Sequence, residues 1–212
     1  MYMPANNGGD FTPPPAGTHL AVCYRAIDLG TQQVDWQGES KQQHKLMLSW
    51  ELPDEKMDDG RPFSISQRYT FSSHEKARFR QDLEAWRGAK FTEADLAGPP
   101  NGFHVRKLLG VPCLLTVVHN VRQGKTYANI SAVTKIMKGM QAPPLVNEKV
   151  FFSLDPAEYS QDIFDKLSSG LRAVIEKAPE YLEIKRPRGE QISDAHDERN
   201  PPPHDDSDQI PF

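Results

Sequence analysis

The sequence predicts a mostly-β domain of five strands, with one amphipathic helix between the third and fourth and a loose segment at either end. Three observations carry this expectation. Apolar and polar residues alternate through the middle of the chain at the two-residue period of half-buried strands, and a single segment before the fourth strand switches to a helical period. Nine of the 18 prolines fall in residues 1–17 and 187–212. Hydrophobic residues are 37% of the 212, below the usual share of about 45–50% for globular proteins, and the dilution is concentrated in those two segments.

Residues 1–17, rich in Gly, Asn and Pro, read as a disordered or polyproline-like arm. The first strand runs from Thr18 to Leu29 and closes on Gly30, and a polar stretch continues to Ser40. Lys45 to Leu52 is the second strand, and Asp58-Asp59-Gly60 supplies a turn. Phe63, Ile65, Tyr69 and Phe71 then alternate with Ser64, Ser66, Arg68 and Thr70, which marks the third. Phe79, Leu83 and Trp86 stand at i, i+4 and i+7, so residues 74–87 form a helix, with Ser73 as its expected cap and Gly88 as its stop. Val111 to His119 and Thr126 to Ile136 are strands four and five, joined by a turn at Arg122-Gln123-Gly124-Lys125.

This element order is that of the OB-fold, a five-stranded Greek-key barrel that often binds oligonucleotides; a small mixed α+β sheet is the competing fold. The expected organisation is an arm at 1–17, an OB domain at 18–140, an extension at 141–186 and an acidic tail at 187–212. In the extension, Val150-Phe151-Phe152 is a short strand. Ile163, Leu167, Leu171, Val174, Ile175 and Ala178 make a helical stripe, which either covers an open end of the barrel or is a subunit contact in a homo-oligomer.

The net charge of −4 divides unevenly. From Glu190 onward seven carboxylates face Arg199 alone, a net of −6, which leaves +2 on residues 1–189. Two cysteines, Cys23 and Cys113, exclude a disulfide framework and a cysteine-rich zinc site. No run of about 18 apolar residues offers a membrane span, and the first residues lack a signal-peptide pattern, so the expected location is the cytoplasm. Enzyme signatures fail. Gly124-Lys125-Thr126 lacks the glycine that a phosphate-binding loop needs where His119 stands, and Asp54 to Gly60 has Met57 at a calcium-ligand position. The seven histidines show no metal-site spacing. No catalytic constellation, metal or cofactor is expected.

The last eight residues, Asp205-Asp206-Ser207-Asp208-Gln209-Ile210-Pro211-Phe212, closely resemble the acidic C-terminal tip of bacterial-type single-stranded DNA-binding proteins, although Ser207 and Gln209 interrupt the acidic run. Such a tip suits docking. Phe212 offers an aromatic ring and a carboxylate, Ile210 adds apolar surface, Pro211 restricts the free chain, and Asp205, Asp206 and Asp208 steer it to a basic rim. The body resembles a family too. Gly17-Thr18-His19-Leu20, Asp28-Leu29-Gly30-Thr31-Gln32, Ser49-Trp50-Glu51-Leu52, Arg68-Tyr69-Thr70, His74-Glu75-Lys76-Ala77 and Leu83-Glu84-Ala85-Trp86-Arg87-Gly88 are similar to the single-stranded DNA-binding proteins of tailed bacteriophages and prophages. The resemblance spans about Gly17 to Tyr181 and implies an OB-fold and a role in phage replication or recombination, with replication or repair proteins as partners of the tip.

Single strands are held by cations that follow phosphates and by rings that stack on bases. The candidates are Lys45, Arg68, Arg122 and Lys125 for the first role and Trp36, Trp50, Tyr69, Phe71 and Tyr127 for the second. Tyr69 and Phe71 share the phase of Ile65, and Trp50 that of Leu46 and Leu48, so each has a core alternative. A different class of function also stays open: an OB-type interaction or structural phage protein that binds no DNA.

Overall fold

The computed structural model describes residues 12–36, 38–141 and 144–186. The elements in chain order are β1 (Gly17–Trp36), β2 (Glu39–Lys56), β3 (Pro62–Thr70), α1 (Arg78–Arg87), a 3-10 turn (Val105–Leu108), β4 (Pro112–Arg122), β5 (Lys125–Thr134), β6 (Val150–Phe152), α2 (Gln161–Asp165), α3 (Ser169–Ile175) and α4 (Pro179–Lys185). The protein is thus mostly β. All six strands share one sheet, ordered β3-β2-β1-β4-β5 with antiparallel neighbours, and β6 joins β1 in parallel. Its two edges, β3 and β5, approach within 8 Å between Cα atoms but share no ladder among the described residues.

β1 and β2 are much longer than their apolar runs. The stretch expected as loop is a two-stranded ribbon, Thr31 to Trp36 paired with Glu39 to His44. Gly38, with φ of 82°, lies in its turn. Gln33, Asp35, Glu39 and Lys41 are exposed along it, so the ribbon lacks the buried face whose alternation announces a strand. The β4–β5 hairpin behaves likewise. Its last residues, Val118 to Arg122, are exposed, and Gln123 and Gly124 both take positive φ in the tight turn.

Two apolar cores lie on opposite faces of the sheet. The inner one joins alternate residues of β1 to β5 (Ala21, Cys23, Leu48, Trp50, Ile65, Leu115, Val133) to Phe79, Leu83 and Trp86 of α1. The rings of Trp50 and Trp86 lie 5.8 Å apart, and the Trp86 indole donates to the Pro112 carbonyl at 2.8 Å. The helix starts at Arg78 after Ala77, not at the expected Ser73 cap, and no side chain caps it; Gly88 ends it in the left-handed conformation, as expected.

The outer core packs Ile27, Leu29 and Met47 of β1 and β2 against Phe152, Phe164, Leu171, Ile175 and Ala178. The expected apolar stripe therefore packs on the sheet, but along two short helices, α2 and α3, instead of one, with Leu167 between them and Ala178 as the N-cap of α4. Ser168 is the N-cap of α3 and Pro179 opens α4, and each stops the helix before it. The stripe packs on Ile27, Leu29 and Met47 of β1 and β2.

Glu51 fastens this layer. Its carboxylate is fully buried and accepts from the backbone N–H groups of Val146 (2.6 Å) and Asn147 (2.8 Å) and from the Asn147 amide (2.6 Å). Each donor left unsatisfied in a buried site costs about 1–3 kcal/mol. Glu51→Ala is therefore expected to lower unfolding free energy by about 3 kcal/mol or more in urea titrations, and a loss below about 1 kcal/mol would show that water replaces the carboxylate.

Candidate nucleic-acid interface

Alternation and the positions of the bulges decide which side chains face outward. On β2 the even residues 46–52 enter the inner core, so Lys45, Ser49 and Glu51 point out. On β3, Ile65 and Tyr69 point in, while Ser64, Ser66, Arg68 and Thr70 are exposed. β4 has no bulge against β1, so Arg122 shares the outward side with Thr116 and Val118. Pairing then gives the same side to Lys125, opposite Arg122, and to Tyr127, opposite Asn120. Lys45, Arg68, Arg122, Lys125 and Tyr127 accordingly belong to one outer surface, spread along strands instead of converging on a pocket.

The charges there are unneutralised. Among the described residues Arg68, Arg122 and Lys125 make no ion pair, whereas Arg61, Arg78, Arg80, Arg87 and Arg106 each have an acidic partner. The Lys45 ammonium donates to Gln43 Oε1 at 2.6 Å and Thr70 Oγ1 at 2.9 Å, and burial lowers its pKa. Tyr127 is 49% exposed.

Two aromatic candidates are corrected. Trp50 is 0% exposed, packed on Trp86, and Tyr69 is 3% exposed with its hydroxyl donating to Asp82 at 2.9 Å. Burial and the Asp82 carboxylate push the Tyr69 hydroxyl well above its ordinary pKa. Both rings lie on the inner face that their phase shared with core residues, so neither reaches a base without opening the domain. Phe71 also has inner phase, but β3 ends before it. It stands at the end of the sheet, 46% exposed, 5.5 Å from the Phe79 ring and 5.5 Å from His44. The backbone of Trp36 ends β1 at the ribbon tip; its side chain lies outside the described residues. So do Asp205, Asp206, Asp208, Ile210, Pro211 and Phe212.

Arg25 was not among the expected contacts. Tyr24 is the extra residue of a bulge, so Cys23 and Ala26 both face the inner core, and Arg25 turns outward beside Ser49 and, one strand further, Ser66. Simple alternation cannot reveal such a switch. The Arg25 guanidinium lies 5.4 Å from the Tyr24 ring, and its Nε is buried without an acceptor among the described residues.

At the ribbon base, β1, β2 and α4 meet in a polar clasp. His44 Nε2 is 2.7 Å from Asp28 Oδ1 and its Nδ1 3.6 Å from Glu180 Oε1. Glu180 accepts from the Thr31 hydroxyl (2.5 Å) and backbone N–H (3.0 Å), and Asp28 accepts from the backbone of Gly30 and Leu154. The hydrogen bond to Asp28 raises the His44 pKa above its ordinary value, against the opposing effect of burial. For Glu180, burial pushes upward, but the two Thr31 hydrogen bonds outweigh it and the pKa falls.

The chain matches no protein-family model, and no curated protein matches it. Among the described residues, no helix is long and apolar enough to cross a membrane, and no group of three or more His, Cys, Asp or Glu side chains is placed to hold a metal ion.

The clasp carries a pH signature. A raised imidazole pKa means that its stabilisation is fully present below about pH 6.5, the ordinary histidine value, and is lost as pH rises through the higher folded value. Thermal stability of the wild type minus that of His44→Gln should therefore shrink as pH rises from 6 through the alkaline side of that value. A difference that stays flat across this range would assign His44 no charged role.

Proposed function

We propose that this chain is a non-catalytic protein that binds and protects single-stranded DNA with little sequence preference, of the phage or prophage type, with an OB barrel as its binding domain, acting in DNA replication or recombination in the cytoplasm of a bacterial host. The fold part of this reading is supported by the order β3-β2-β1-β4-β5, the approach of β3 to β5 and the helix between β3 and β4. The observation that carries the function is the outer surface: unpaired Arg68, Arg122 and Lys125 with half-exposed Tyr127, on strands whose neighbouring outward residues are Ser64, Ser66, Thr70 and Asn129. Lys45 adds a fourth cation and Phe71 a ring at one end. The Trp36 side chain is a further stacking candidate.

In this reading the tip, Asp205 to Phe212, recruits replication or repair proteins, and the −6 charge of the segment from Glu190 competes with DNA for the cationic surface. Tethering gives those anions an effective concentration on the order of millimolar.

Two outcomes are expected. Oligo-dT should bind at micromolar protein or below in fluorescence titrations. A slope of about −0.7 in log K against log salt per single-strand phosphate contact gives about −3 for the four cations, and Arg68→Ala should reduce it by about 0.7. Absence of binding at low salt would discard the proposal in favour of the interaction-protein alternative. Removal of residues 205–212 should tighten DNA binding and abolish capture of host replication or repair proteins, whereas equal affinities with and without the tip would exclude competition.

A further inference from the structure

A cleft of about 640 Å³ opens beside the ribbon base, within the range of about 300–1,000 Å³ that accommodates small planar ligands. Its apolar walls include the rings of Phe71, Phe103 and Phe151 and the prolines Pro99 and Pro100. A second hollow of about 310 Å³ shares Phe71 and Phe103 with it, so Phe71 stands between the two with nearly half its surface open.

The polar groups facing this cleft are mainly acceptors. Asp28 and Glu180 line one side, with the His44 imidazole held between them. Glu158 lines the other side. Its Oε1 takes both His104 Nε2 (3.3 Å) and the Arg106 guanidinium (3.2 Å), and its Oε2 has no hydrogen bond among the described residues. Arg106 is further occupied by the Phe151 ring, 4.1 Å away. A phosphate finds no free cation here and several carboxylates that repel it. A flat ring that donates N–H groups finds apolar walls and a spare carboxylate oxygen. Immediately outside, Thr70 precedes Phe71 and accepts from the Lys45 ammonium, which brings a cation of the outer surface next to the cleft mouth.

We propose that this cleft takes one amino-bearing base, cytosine, adenine or guanine, of the bound single strand, with its ring against Phe71 and its exocyclic amino group donating to Glu158 Oε2, while the adjoining phosphate stays outside near Lys45. The inference rests on the reading of the chain as a single-strand binder and adds one base-selective position to a surface otherwise indifferent to sequence: thymine has no exocyclic amine, and the carbonyls on either side of its N3–H repel a carboxylate. A basic peptide segment is the other occupant that acidic walls suggest; the Lys45 ammonium, bonded to Thr70 next to Phe71, opposes it.

The test is fluorescence anisotropy of the full chain with labelled dC15 and dT15 at one salt concentration. A charge-assisted hydrogen bond predicts dC15 bound about tenfold more tightly than dT15. Glu158→Ala should bring the ratio of dC15 to dT15 affinity close to one, and Phe71→Ala should weaken dC15 more than dT15. Tight, salt-dependent binding of both strands with equal affinity would overturn the base site and leave the strand reading intact. A tenfold ratio that persists in Glu158→Ala would also overturn it. Failure of both strands to bind would remove both inferences, and displacement of dC15 by an arginine nonapeptide without any dC15–dT15 difference would assign the cleft to a peptide.

Discussion

The requirement that β1 bury both of its faces at once governs the rest of the molecule. Ala21, Cys23 and Ala26 enter the inner core, while Ile27 and Leu29 enter the outer one. A strand with one buried face alternates strictly; this one changes side by bulges near Tyr24 and Leu29. The second bulge ends at Gly30, whose φ is +67° and where a Cβ would lie 2.4 Å from the Ala178 side chain. That contact fixes how closely the C-terminal helices approach the sheet, and the Asp28–His44–Glu180 clasp forms at the same point.

Because the outer core takes the centre of the outward surface, any long ligand is confined to what remains: the outward row of β3, the distal β4–β5 hairpin and the β1–β2 ribbon. The charges follow the same division. Around α1, Arg78, Arg80 and Arg87 pair with Asp82, Glu84 and Asp95, so the helix seals the inner core with little net field. Hydrogen bonds from Thr92 and Arg87 lower Asp95 to a pKa of about 2, which keeps that neutralisation in place through the physiological range. Arg68, Arg122 and Lys125 on the strands, by contrast, make no ion pair among the described residues. Glu51 belongs to the other group, a carboxylate consumed wholly in holding residues 146 and 147 over β2.

Most of the sheet was legible in the sequence wherever a strand had one wet and one dry face. β3 and the apolar parts of β2, β4 and β5 have that character, and the alternation of Ile65, Tyr69, Leu46, Leu48 and Trp50 marked the inner core correctly. The same alternation held the warning that Trp50 and Tyr69 are structural; a ring's chemistry suggests stacking, but its phase decides its side. Three features could not be read locally. The ribbon from Thr31 to His44 is joined by backbone pairing, and its described residues are mostly polar. Arg25 turns outward only because of a bulge. The cleft and the clasp assemble Asp28, His44, Glu158 and Glu180 from four separate segments, and no sequence spacing encodes that meeting.

A net charge of −4 argues against binding a polyanion only if charge acts as a single total. At physiological ionic strength the screening length is about 8 Å, shorter than three residues of extended strand at about 3.3 Å each. Beyond that distance, carboxylates paired around α1, or engaged at the clasp, scarcely alter the potential at Arg68 or at the Arg122–Lys125 turn. A phosphate reaching that surface would meet the local arrangement: cations that make no ion pair among the described residues, beside uncharged outward side chains such as Ser64, Ser66, Thr70 and Asn129. A base entering the cleft at the end of that surface would meet the opposite, aromatic walls and acceptor oxygens. Placing these two environments side by side separates the two halves of a nucleotide by polarity, and a uniformly basic groove would hold the backbone without that distinction.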